Sequence, residues 1–94
     1  MTEKPLTVEQ YGAALVDVVH ERSRQDKKWG ESNHDMGIWL AILEEEIGEF
    51  SRHYLELKFS PDSSSLRLMR KQAVQVAAVA VAIVECIDRG EWND

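Results

Sequence analysis

Between positions 73 and 84 the chain reads AVQVAAVAVAIV, apolar at every position except Gln75. A helix carrying this stretch is apolar on every face. The stretch is well short of the roughly 20 residues that span a bilayer, so it predicts a buried core helix. A chain of 94 residues supplies only two further helices to cover it. The alanines at 73, 77, 78, 80 and 82 permit close helix approach. The reading is therefore an oligomer, with a second subunit packed on this helix. A domain of this size buries only a modest share of its surface alone, which points the same way.

The rest of the chain supplies the covering helices. Thr7-Val8-Glu9-Gln10 matches a capping box, and Val8, Tyr11, Leu15, Val18 and Val19 follow at helical spacing until the pattern dissolves near Gln25. A loop through Trp29-Gly30 and Ser32-Asn33-His34-Asp35 leads to a second helix over about 36–58. Leu40, Leu43, Ile47, Phe50, Tyr54 and Leu57 alternate spacings of three and four along it, a coiled-coil-like seam. Ser60 to Ser65 forms a turn with several possible N-caps, and the third helix runs over about 66–89, stopped by Gly90. No strand signal survives. The expectation is a single all-α domain over 1–94: an antiparallel bundle of three main helices, its core completed by oligomerisation as a homodimer or homotetramer.

Charge narrows the function. The formal net charge of −6 repels a phosphate backbone, so no nucleic-acid partner is expected, and no span suits a membrane. One cysteine, Cys86, allows no intrachain disulfide and fits a reducing compartment. Met1 to Thr7 is polar, without an apolar signal region, so the expected location is cytoplasmic. Arg22, Arg24, Lys27 and Lys28 make a basic stretch, and Glu44, Glu45, Glu46 and Glu49 crowd six positions further on. Such a pairing suits a ligand that is an anion carrying a cation.

At about 100° per residue, Glu45, Glu46 and Glu49 share one arc, pointing away from the Leu40–Leu57 seam. The plain alternative is a solvated face. Ile38 and Ile42 lie on the same arc, however, and His53 continues it, so this face is partly covered. Clustered carboxylates repel one another unless a cation neutralises them, and hard oxygen ligands suit Mg²⁺ or Mn²⁺.

Glu45-Glu46-Ile47-Gly48-Glu49 resembles the EExxE motif of the all-α nucleotide pyrophosphohydrolases, the MazG and dimeric dUTPase-like superfamily. The stretch from Glu21 through Trp29-Gly30, His34 and Trp39 to Leu43, and the 74–82 run, look like MazG-like proteins of phages and gene cassettes. The resemblance covers about 21–89. It implies a Mg²⁺-dependent (Mn²⁺ also serving) hydrolysis of nucleoside or deoxynucleoside triphosphates to monophosphate and pyrophosphate. By that analogy Glu45, Glu46 and Glu49 hold the metal and orient water, while Lys28, Trp29, Asn33 and His34 approach base or phosphates.

One departure matters. The family completes its metal site with ExxD on the following helix, where this chain has Gln72-Ala73-Val74-Gln75. In an antiparallel pair Gln72 and Gln75 stand level with Glu46 and Glu49, as metal ligands without charge. The literal ExxD, Glu85 to Asp88, falls some 15 Å further along at about 1.5 Å of rise per residue and reads as an ordinary helix end. The alternative function is a non-catalytic nucleotide-binding or helical interaction module. Gly48, inside a helix, suggests close backbone or ligand approach.

Overall fold

The computed structural model describes residues 8–60 and 63–92. They form α1 (Val8–Trp29), α2 (Met36–Phe59) and α3 (Ser63–Asp88), with no strand among the described residues. All-α is thus the observed class. The expected cap at Thr7 lies outside the described residues.

Local chemistry sets the ends. α1 outlasts its apolar pattern by a full turn and stops at Gly30, whose φ is 74° and whose N–H donates to the Asp26 carbonyl at 2.8 Å. This is the left-handed helix stop that glycine accepts without a Cβ clash. α2 begins where Asp35 takes an extended conformation and its carboxylate accepts from the Ile38 N–H at 2.9 Å. α3 starts at Ser63, three residues earlier than the apolar pattern implies. It ends as expected at Gly90, with φ 68°. There the Gly90 N–H donates to Ile87 O at 2.9 Å and the Glu91 N–H to Cys86 O at 3.2 Å, the two bonds of a Schellman motif.

α3 is the hub. It packs against both α2 and α1, whereas α1 and α2 make no approach to each other. The core is Trp39 of α2 set against Val79, Ala82 and Cys86 of α3, with Met36, Ile42, Leu43 and Ile83 around it. Ala78 is fully buried. Toward α1, Arg22 pairs with Glu85 at 2.5 Å and Asp17 with Arg70 at 2.8 Å.

The α2 seam joins the internal core only in part, through Leu43. Leu43, Phe50 and Leu57 are half-buried, but Leu40, Ile47 and Tyr54 remain 50%, 45% and 47% exposed. The face α2 turns to α3 runs instead through Met36, Trp39, Ile42 and Glu46. Trp39 wins because its indole is the largest apolar body at that end and packs over Val79, Ala82 and Cys86 of α3. A third side of α3, with Leu66, Val84 and Ile87 beside Ala73 and Ala80, is also open.

The chain exposes 7009 Å², against roughly 5500 Å² expected for a compact 10.8 kDa monomer from the scaling of surface with mass. Its radius of gyration is 15.5 Å, where about 12.4 Å is usual for this length. Part of that open surface is apolar, on faces of α2 and α3 that have no neighbour among the described residues.

Two glycines separate backbone from packing. Gly90→Ala forces a Cβ onto a left-handed residue and should destabilise by about 1–2 kcal/mol. A Cβ on Gly48 meets nothing within 4 Å, so the close approach expected there is not made inside the chain. Gly48→Ala should therefore stabilise the chain by up to about 1 kcal/mol. Urea unfolding of the two variants checks both signs.

Candidate functional site

Because α1 and α2 stand apart on α3, a cleft opens between them. Its volume is about 610 Å³, and Val79 and Ala82 of α3 line it. Trp29 at the end of α1, His34 in the loop that follows and Trp39 near the start of α2 give it aromatic walls. Arg22 and Arg89 bring positive charge, and Asp26, Glu31 and Glu46 negative charge.

A clamp holds the loop at the cleft's mouth. Arg89, just past α3, donates from Nε and Nη2 to Asn33 Oδ1 at 3.1 and 2.8 Å, and from Nη2 to the Ser32 carbonyl at 3.1 Å. Asn33 Nδ2 in turn donates to Glu31 at 3.0 Å. The Cys86 thiol lies 4.0 Å from the His34 carbonyl. The His34 ring stands edge-on to Trp39, centroids 4.8 Å apart at 77°, a favourable aromatic geometry. The Trp39 indole N–H is buried without a hydrogen-bond acceptor among the described residues.

Of the four residues expected to meet substrate, Trp29 and His34 line the cleft, while Lys28 and Asn33 do not. Lys28 lies with Nζ 4.8 Å from the centre of the Trp29 ring, a cation–π contact on a side chain 69% exposed. Asn33 is occupied by the Arg89 clamp. Sequence reasoning missed Arg22, Arg89 and Asp26. The basic stretch pointed to Arg22 without saying which of its cations turns inward, and Arg89 carried no motif.

The three glutamates diverge. Glu46 lines the cleft, and Gln72 of α3 donates from Nε2 to its carboxylate and, at 3.2 Å, to its main-chain carbonyl. The expected level of Gln72 with Glu46 is therefore observed, and Gln72 is buried. Glu49 is taken by Arg52 one turn on, at 2.6 Å. That bond holds the Glu49 carboxyl below its ordinary value, with the Arg52 charge adding to it. The depressed value makes this exposed pair effective above the unfolded carboxylate pKa and lost as pH falls through the folded one. Glu45 is exposed, and Gln75 is half-buried. Among the described residues no three His, Cys, Asp or Glu side chains stand together as a metal-holding group. Glu46 with Gln72 fits one side of a hard-cation site; the set does not close within one chain.

Arg24 pairs within α1, with Glu21 at 2.6 Å. Its pKa is raised chiefly by the hydrogen bond to Glu21, with Glu46 contributing through its charge. Arg22 is raised first by its bond to Glu85, against burial and with help from Asp26. Glu85 is thus a tie between α3 and α1, which gives that half of the literal ExxD a structural role.

Two variants probe these ties. Arg89→Ala removes three hydrogen bonds from the loop and should cost about 1 kcal/mol, exposure of the groups keeping the loss small. Hydrogen exchange at amides 31–35 should speed up while α3 stays protected. Glu85→Gln should weaken the docking of α1 by a similar amount, read by faster exchange in α1 alone. No protein-family model matches this sequence, and neither a curated protein nor a solved structure matches it.

Proposed function

We propose that this chain is a nucleotide pyrophosphohydrolase of the MazG-like kind, acting on nucleoside or deoxynucleoside triphosphates with Mg²⁺ or Mn²⁺. It works as an oligomer of antiparallel helical bundles. The observation that carries the reading is the position of Glu46. This glutamate of the EExxE motif borders the same cleft as Trp29, His34 and two arginines. A nucleotide asks for that combination: a flat apolar surface for its base, cations for its phosphates, and a carboxylate where a hydrated cation enters.

Each residue then has a task. Trp29, largely exposed at the cleft's mouth, stacks the base. Arg22 and Arg89 draw the phosphates in once these displace part of their bonds to Glu85, Asp26 and Asn33. Glu46, with Glu45 and Glu49 on neighbouring positions, binds the cation and orients water once ligand displaces the Arg52 and Gln72 bonds. Mg²⁺ supplies neutralisation of phosphate charge and a more acidic bound water.

A second reading has its own support. Gln72 gives Glu46 a neutral donor where the family places a carboxylate, and this satisfies Glu46 without a cation. On that reading the chain binds nucleotide and does not cleave it.

Pyrophosphate release from a panel of eight common nucleotides with Mg²⁺ separates the two. Cleavage that stops with EDTA and falls at least tenfold in Glu46→Gln supports the enzyme. Quenching of Trp29 fluorescence by nucleotide, lost in Trp29→Ala and without release of pyrophosphate, supports the binding module. Gln72→Glu with Gln75→Asp should tighten Mg²⁺ binding roughly tenfold, about 1.4 kcal/mol, as a charge-assisted contact would. Glu85→Gln should leave Mg²⁺ affinity unchanged.

A further inference from the structure

We infer that a groove between α1 and the first half of α3 is a binding site for a condensed phosphate, two or more linked phosphoryl groups, separate from the aromatic cleft. The inference stands on this groove alone and does not depend on the reading of the cleft.

Four residues of each helix build it. α1 gives Asp17, His20, Glu21 and Arg24, and α3 gives Arg67, Arg70, Lys71 and Val74, around a volume of about 310 Å³. Both sets follow the spacing i, i+3, i+4, i+7, which gathers them on one face of each helix. No residue of the groove lines the cleft. At about 100° per residue, the residues that α1 gives to the groove and to the cleft are centred roughly 140° apart, so the two sites lie on different sides of α1.

Charge sets the groove apart. In a chain of net charge −6, it gathers four of the 11 lysines and arginines against two carboxylates. Both carboxylates are already engaged. Arg24 donates to Glu21 from Nε and Nη2 at 2.9 and 2.6 Å, and Arg70 reaches Asp17 at 2.8 Å. Arg67 and Lys71 make no ion pair or hydrogen bond among the described residues. Arg67 also stands one turn from Arg70 and from Lys71, a like-charge spacing that destabilises a helix. The plain alternative is two solvated side chains. Against it, these cations share a concave surface with two further guanidinium groups, and concavity of one sign concentrates the field that draws in an anion.

The lining selects which anion. Val74 is its only apolar member among the described residues and it holds no aromatic carbocycle or indole, so a nucleobase finds no platform such as Trp29 offers in the cleft. A long polyanion would overrun the groove and meet the rest of the chain, where the negative charge lies. What fits is compact and multiply charged. Guanidinium groups bind phosphoryl oxygens through paired hydrogen bonds, and an ammonium adds a point charge. Three arginines and a lysine, spread over two helices, match linked phosphoryl groups better than a single one. Free pyrophosphate and the phosphate tail of a nucleotide share that chemistry.

Calorimetry with sodium pyrophosphate tests the site, in buffer freed of divalent cations so that no metal loads the cleft. The wild type should bind pyrophosphate about tenfold more tightly than orthophosphate, and more weakly as salt rises. Arg67→Gln/Lys71→Gln should weaken binding by roughly tenfold or more. Its helical circular dichroism should stay unchanged, since both side chains are exposed and unpaired. Arg89→Gln, at the cleft, should leave pyrophosphate affinity as it is. Competition names the source. Displacement by a nucleoside triphosphate, and not by a monophosphate, assigns the groove to the nucleotide's tail; no displacement by either assigns it to the free ion. Absence of binding at millimolar pyrophosphate overturns the inference. Binding that survives Arg67→Gln/Lys71→Gln overturns it too, and its loss in Arg89→Gln would move the anion to the cleft. Equal affinity for orthophosphate would reduce the groove to a general anion patch and overturn the condensed-phosphate assignment. None of these outcomes bears on the cleft's reading, which is tested with Mg²⁺ and nucleotide.

Discussion

The rest of the structure depends on covering one helix. α3 is apolar through its middle on every side, and a helix has room for neighbours on more than two of them. α2 takes one side by laying Trp39 over Val79, Ala82 and Cys86, and α1 takes the next. The third side, with Val84 55% exposed, has no cover among the described residues. Burial of apolar area at about 25 cal/mol per Å² drives both docking events. The same effect acts on the apolar surface that remains open.

The cleft is a consequence of that arrangement. Two helices that share a hub without touching leave a trough between them, and here the hub's small residues, Val79 and Ala82, line it. What enters the trough is decided at the helix ends. Gly30 stops α1 just after Trp29, Asp35 starts α2 just before Trp39, and the short loop between them is fastened by Arg89. Two aromatic side chains therefore reach one cleft from opposite helices. The clamp explains why Asn33 is a structural residue: its side chain is already held from both ends.

The acidic motif has been divided by its surroundings. Three glutamates on one arc would repel one another if left alone, and each has a different environment here. Glu46 accepts from the buried Gln72, Glu49 from Arg52, and Glu45 faces solvent. Neutral amide and guanidinium donors thereby relieve a repulsion that a cation relieves in the proposed working state. Gln72 is the pivot, because an amide can turn its oxygen toward a cation or its nitrogen toward a carboxylate.

By itself the sequence determined the three helices, their punctuation at Asp35 and Gly90, the apolar character of α3, and the level of Gln72 with Glu46. These follow from short-range rules: period, capping, and a turn that folds one helix back along another. Only the tertiary structure decided which faces are used. The Leu40–Tyr54 stripe has the stronger heptad pattern, yet α2 turns toward α3 the edge bearing Trp39 and Glu46, because one indole over Val79, Ala82 and Cys86 fills the space between the helices. The partnership of Arg22 with Glu85 and of Arg89 with Asn33 was equally illegible, since each joins residues more than fifty positions apart. Periodicity says which faces are apolar; which of them finds a neighbour first depends on side-chain volume and on where the chain's few turns bring the helices.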